Sequence, residues 1–209
     1  MIVHPTYFSP VIQYVALANA EEIIFEAEDN YQKQTFRNRC YIYGANGKQL
    51  LTVPVLHTKK DGHQKTKDVK IDNSFSWQKL HKRSLETAYR SSPFFEFYED
   101  EVIKIFQKKI DFLLDLNLET YQIISELLPL ELTVRNTKVY KEEYSEKQDL
   151  RYLVNAKSKV NYHFETYQQV FADKHNFIPN LSILDLLFNE GPNALTYLED
   201  HKKLIELNA

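Results

Sequence analysis

Met1-Ile2-Val3-His4-Pro5, then Pro10-Val11-Ile12-Gln13-Tyr14-Val15-Ala16-Leu17-Ala18, then Glu22-Ile23-Ile24-Phe25-Glu26: these three runs decide the fold. The first is a short apolar stretch stopped by His-Pro. The second has helical spacing behind a proline, which a first helical turn tolerates. The third is an apolar core bounded by charge, of strand length. Strand, helix and strand in succession predict a parallel βαβ unit.

Working outward, Arg39 to Tyr43 and Lys48 to Val55 are β-rich runs around Gly44-Ala45-Asn46-Gly47, and Asn-Gly between such runs is a strong hairpin signal. A polar, lysine-bearing stretch from His57 to Lys67 reads as a mobile surface loop. Asp68-Val69-Lys70-Ile71-Asp72 alternates like a strand. From Ser76 the period changes to that of a helix, with Trp77, Leu80, His81, Ser84, Leu85, Ala88 and Tyr89 on one face. A second helical run extends from Phe94 through Leu116 and a third from Leu118 to Leu128, stopped by Pro129. Leu132-Thr133-Val134 reads as a later strand, and the charged, tyrosine-rich stretch Lys138 to Lys159 as the flexible segment. The chain closes with the apolar run Leu181 to Phe188, Gly191-Pro192 and a last helix to about Leu207. The expected fold is α/β: a small mixed sheet built mainly from the N-terminal third plus one later strand, covered by a helical C-terminal two-thirds. No linker or repeat divides the chain, so one domain is expected over 1–209, strand-rich over 1–72 and mainly helical over 73–209.

Hydrophobic residues are 43% of the chain and charged residues 26%, the composition of a chain that folds. There are 14 Tyr and 13 Phe against 4 Gly, which points to helices packed through bulky rings. A net charge of -3 lacks the basic excess that phosphate neutralisation needs, so no nucleic-acid partner is expected. No stretch reaches bilayer length without charge, so no membrane span is expected. The opening lacks the features of a secretory signal, and the lone Cys40 forms no staple, which together place the protein in the cytoplasm. Cys40 lies in a strand, where a free cysteine ordinarily packs.

His4 follows a strand and precedes a helix, the carboxyl-end position where parallel sheets bind ligands. With His81 it could supply an acid and a base, and these two are the catalytic candidates. Arg37, Asn38 and Arg39, with Lys33, form the candidate anion grip, since guanidinium holds carboxylate or phosphate bidentately. Tyr31, Trp77 and Tyr89 offer ring faces for a sugar or base, and Asp72, Asn73 and Asn38 could read hydroxyls. Each has a structural alternative: a hydrogen-bonded buried histidine, a solvated charge, an aromatic core stripe. His57 and His63 do not complete a metal-ligand spacing, and no metal site is expected. No Gly-x-Gly-x-x-Gly or Walker sequence is present, so no cofactor is named. The strand, His-bearing turn and helix also open adenylylating α/β enzymes, but Tyr7 and Phe8 stand where their second histidine would be.

The ordered set His4-Pro5-Thr6-Tyr7-Phe8-Ser9-Pro10, Asn30 to Arg39, Leu51-Thr52-Val53-Pro54-Val55, Trp77-Gln78-Lys79-Leu80-His81, Tyr89 to Phe95 and Asn180 to Asn189 with Gly191-Pro192 resembles the WbqC-like family of bacterial proteins. The chain departs from that family's usual opening, since Pro5 follows His4 directly and Val11-Ile12-Gln13-Tyr14 replaces an aromatic-glycine pair. The resemblance implies a place in O-antigen or other surface polysaccharide synthesis, as a transferase passing an acyl or aminoacyl group to an amino sugar or sugar-linked precursor. The alternative is a non-catalytic protein that binds a glycan precursor or serves as a scaffold. Either way the expected partner is a small molecule, a sugar nucleotide or an amino sugar.

Overall fold

The computed structural model describes residues 1–56, 64–144 and 148–206. The decisive βαβ unit forms as read. Strand β1 (Ile2–Val3) lies parallel to β2 (Glu22–Phe25) in the register Ile2 to Ile24 and Val3 to Phe25, with helix α1 (Val11–Ala18) between them in sequence. Every residue of α1 from Val11 to Leu17 is buried. A helix apolar all round belongs inside, and burial of Val11, Ile12, Val15 and Leu17 alone is worth about 6–12 kcal/mol of transfer free energy. Pro10 offers no side-chain cap. The Val11 and Ile12 amides donate instead to the Leu181 carbonyl and the Asn180 Oδ1, each at 2.9 Å, so the C-terminal part of the chain satisfies the helix start.

Strands β3 (Arg39–Gly44) and β4 (Gly47–Thr52) pair antiparallel around Ala45-Asn46, and Gly47 at φ +93° takes the backbone angle the tight turn requires. The strands thus fall into two small sheets, this hairpin and a parallel one. Helices α2 (Trp77–Tyr89), α3 (Phe95–Gln107) and α4 (Leu113–Leu127) follow. Trp77, His81, Leu85, Ala88 and Tyr89 face the core, but Leu80, expected beside them, is 66% exposed. The later strand is β5 (Thr133–Asn136), parallel to the far edge of β2, giving the order β1-β2-β5. Helices α5 (Ala172–His175), α6 (Ile183–Glu190), α7 (Ala194–Asp200) and α8 (Lys203–Glu206) complete the chain, with α6, α7 and α8 packed on α1.

Several expectations are corrected. Asp68 to Asp72 is not a strand: Thr66–Asp68 is a 3-10 turn, after which Lys70 bridges Phe112 and Ile71 bridges Val55. Pairing is split between two partners, so no ladder grows. The same contacts break the helical run expected from Phe94 to Leu116. Ile71 N donates to the Asp111 carbonyl and Leu113 N to the Val69 carbonyl, both at 2.9 Å, which holds the chain extended there and starts α4 at Leu113. The stretch 138–159 is not wholly flexible. Leu150, Leu153 and Val154 are buried, and residues 148–150 add to the free edge of β1 through Ile2 N to the Gln148 carbonyl and Leu150 N to the Ile2 carbonyl, both 2.9 Å. The last helix is interrupted by a turn at His201 and Lys202. Of the loop read over His57 to Lys67, residues 57–63 lie outside the described residues; Lys65 and Lys67 both pair with Glu28.

Candidate functional site

The carboxyl ends of the parallel strands converge on one cavity of about 820 Å³. His4 comes directly after β1, and the turn carrying it is held from inside the fold. Gln13 on α1 donates through Nε2 to the His4 carbonyl at 2.8 Å, while the Thr6 hydroxyl lies 3.1 Å from Gln13 Oε1 and 2.6 Å from Ser9 Oγ. Gln13 is the one polar side chain of an otherwise apolar buried helix face, and these bonds are what its burial requires.

Beyond β2 the chain supplies Asp29. Its Oδ2 accepts from Arg37 at 2.5 Å and its Oδ1 from the Thr66 hydroxyl at 2.7 Å. The same Arg37 nitrogen is 3.1 and 3.2 Å from the two ring nitrogens of His4. Burial, then the Arg37 charge, hold the His4 imidazole well below its ordinary value, so it is neutral at pH 7. Arg37 itself is only 1% exposed, and among the described residues its Nε and second terminal nitrogen have no hydrogen-bond partner.

One wall of the cavity is the segment from Asn30 to Thr35, including Lys33. The other follows β5 with Tyr140, then Asp149, Arg151, Tyr152, Asn155 and Lys157. Arg151 is committed to that wall: it bonds both Asp149 oxygens and donates to the Lys141 and Glu142 carbonyls at 2.8 and 2.7 Å. Asp29 is thus balanced by Arg37, while Arg151 is shared between Asp149 and the buried Glu26, whose Oε2 lies 3.8 Å from it. Lys33 and Lys157 have no carboxylate partner among the described residues, which leaves the cavity a positive field with tyrosine rings at its rim, suited to an anionic ligand carrying a ring.

Of the residues singled out from sequence, His4 and Lys33 line this cavity and Arg37 lies behind it, bonded to His4 and Asp29. The others go elsewhere. His81 is packed among Tyr7, Trp77 and Phe106, accepting from the Tyr7 hydroxyl at 2.9 Å; burial lowers it to about 4. It does not line the cavity with His4, so an acid and base pair of the two imidazoles is not assembled. Trp77 is core. Tyr89 is fully buried and donates to Asp185 at 2.9 Å. Asn38 donates to the Val53 carbonyl at 3.0 Å, and Arg39 opens β3 opposite Thr52. Tyr31 is half-buried near the Arg37 and Arg39 charges but outside the lining. Asp72 accepts from Ser74, and Asn73 bonds the Ile110 carbonyl and the Trp77 indole, where they brace the start of α2. Asp29, Tyr140, Asp149, Arg151, Tyr152, Asn155 and Lys157 were not anticipated. The available signal was their place after β2 and after β5, at the carboxyl ends of parallel strands. Cys40 is buried, and burial pushes its thiol well up, which disfavours the thiolate a nucleophile needs. Among the described residues no group of His, Cys, Asp and Glu is arranged to hold a metal ion, and no helix is long and apolar enough to cross a membrane.

The fold and this cavity define an α/β protein with a polar cavity at the carboxyl ends of a short parallel sheet. The WbqC-like protein family model matches residues 5–163 and 155–197, and the chain belongs to that family. It is 27% identical over 211 residues to the uncharacterised protein Rv1507c of Mycobacterium tuberculosis, covering 87% of this chain and 89% of that one. No solved structure matches the chain.

Proposed function

We propose that the cavity binds an anionic, sugar-linked precursor and that the protein is a cytoplasmic transferase passing an acyl or aminoacyl group to an amino sugar in surface polysaccharide synthesis. The observation that carries this reading is the placement of a neutral, buried His4 at the strand ends, within a cavity where Lys33 and Lys157 have no carboxylate partner among the described residues. Lysines at the rim suit the phosphates of a nucleotide-linked sugar, Tyr140 and Tyr152 offer faces for its ring, and a neutral imidazole can take the proton that an attacking amine must lose. His81 has no part in this chemistry, because its ring packs in the core against Tyr7, Trp77 and Phe106.

One observation favours the alternative, a non-catalytic protein that binds a glycan precursor. The His4 ring contacts Arg37 and hydrogen-bonds the Glu26 backbone, so both nitrogens are engaged before any ligand arrives. A thermal-shift panel of sugar nucleotides, amino sugars, amino acids and acyl carriers tests ligand binding. Stabilisation by a sugar nucleotide that is lost in Lys33→Ala supports the site, and no stabilisation by any of them refutes it. With the ligand found, His4→Gln separates the readings. Binding retained with group transfer abolished supports the transferase, whereas a wild-type protein that binds but transfers nothing supports the binding protein.

A further inference from the structure

A second, narrower cavity of about 150 Å³ adjoins the first, and Tyr152 and Asn155 stand in the walls of both. Its volume is about that of five waters. Among the described residues no carboxylate lines it, and its single cation is Lys48 on β4. Lys48 has no acidic partner among the described residues; its ammonium lies 4.1 Å from the centre of the Tyr41 ring, and burial lowers it from its ordinary value. Such a charge is partly desolvated and not neutralised.

The neutral groups around it are polarised in one sense. Asn180 Oδ1 accepts from the Ile12 amide at 2.9 Å, and Asn155 Oδ1 accepts from the Lys157 amide at 3.0 Å. Ser158 Oγ accepts from the Val160 amide at 3.3 Å. Each of these oxygens already accepts one backbone bond, while among the described residues the two amide nitrogens and the Ser158 hydroxyl donate to nothing, which leaves them available to a ligand. Tyr162 adds a phenol that burial and its neighbour Tyr152 hold up to about 12, so it also stays a donor. Asn161 adds a further carboxamide to this polar wall, and one ammonium without a carboxylate beside it among the described residues disfavours a cation. The pocket matches a small group with one negative charge and several acceptor sites.

We propose that this compartment is a subsite for a small monocarboxylate, held by Lys48 and by the amide nitrogens of Asn155 and Asn180. Its single lysine balances one charge rather than the two of a phosphate monoester. The subsite stands on its own lining and holds whatever the larger cavity carries. If the larger cavity is the transferase site proposed above, a carboxylate here lies beside it, at the shared wall of Tyr152 and Asn155.

Ligand-observed saturation-transfer NMR on the whole protein tests this, with acetate and propionate as probes, acetamide as the uncharged control and inorganic phosphate as the competing anion. The expected result is transfer to acetate and propionate, none to acetamide, and affinity weakened about tenfold or more in Lys48→Met and in Lys48→Gln. Lys33→Ala, which alters only the larger cavity, is expected to leave carboxylate binding unchanged, so failure of the larger-site reading and failure of this one are distinguishable. The proposal is overturned if neither carboxylate binds, if acetamide binds equally well, if phosphate binds in their place, or if either folded Lys48 variant binds carboxylate as the wild type does. Lys48 is exposed enough on its strand that at least one variant is expected to keep the wild-type melting temperature.

Discussion

Replacing Asp29 by Ala is expected to destabilise the protein severely, because of what it leaves behind. Arg37 is 1% exposed, and of its three nitrogens only one is hydrogen-bonded among the described residues. That nitrogen contacts Asp29 at 2.5 Å and the neutral ring of His4. Burial already lowers the guanidinium from its ordinary value, and the Asp29 charge is the foremost influence that restores it. Removing one partner of such a buried pair strands a desolvated charge and costs about 3–5 kcal/mol. For a chain of this length each kcal/mol moves the melting temperature by about 2–4 °C, so Asp29→Ala is expected to melt about 6–20 °C lower. The double variant Asp29→Ala with Arg37→Met removes the stranded charge and is expected to recover more than half of the loss. Differential scanning calorimetry of the four proteins of the cycle gives the answer. A single variant melting within about 3 °C of wild type, or a double variant no more stable than Asp29→Ala, refutes the reasoning.

Three further outcomes are expected. Asp185 is fully buried and raised from 3.8 to about 6, chiefly by desolvation, although Tyr89, Tyr167 and Gln169 all donate to it. The stability it contributes is present below pH 3.8 and lost as pH rises through 6. Asp185→Asn should therefore gain about 3 kcal/mol relative to wild type between pH 4 and 7, and parallel urea-unfolding curves across that range would contradict this. His81 has the opposite sign: lowered from 6.5 to about 4, it stabilises above pH 6.5 and that contribution is lost as pH falls through 4. His81→Gln, which keeps an acceptor for the Tyr7 hydroxyl, should lose about 3 kcal/mol less than wild type on acidification from pH 7 to 4, measured in the same way; equal losses would exclude the assignment. Gly191 ends α6 at φ +54°, and a Cβ there would sit 2.5 Å from carbons of the Phe94 ring. Gly191→Ala is expected to cost about 2–4 kcal/mol, and a loss under about 1 kcal/mol would show that neither the angle nor the ring constrains the position.

Some of this was legible in the chain and some was not, for reasons that differ by residue. Periods of two and of 3.6 residues are local properties, and they determined β1, α1, β2, the hairpin and the amphipathic α2. The position of His4 at a strand end was legible too, because it follows from the order of elements. The break between α3 and α4 was not: Ile105, Phe106, Ile110 and Leu113 continue a helical spacing, and only pairing of residues 69–71 with 111–113 pulls that stretch straight.

The same division runs through the candidate site. Composition could nominate His81, Trp77 and Tyr89 as functional, since a histidine or ring looks the same in a core as in a cavity; tertiary packing closed them in. Packing also brought Arg37 to His4, 33 residues away, and residues 148–150 to the edge of β1, far apart in sequence. The sequence by itself determined the opening βαβ unit, the hairpin and α2, and that the parallel unit would present a histidine. Only the tertiary structure decided what stands around that histidine, because a cavity is made by contacts between distant segments, and side-chain periodicity carries no record of them.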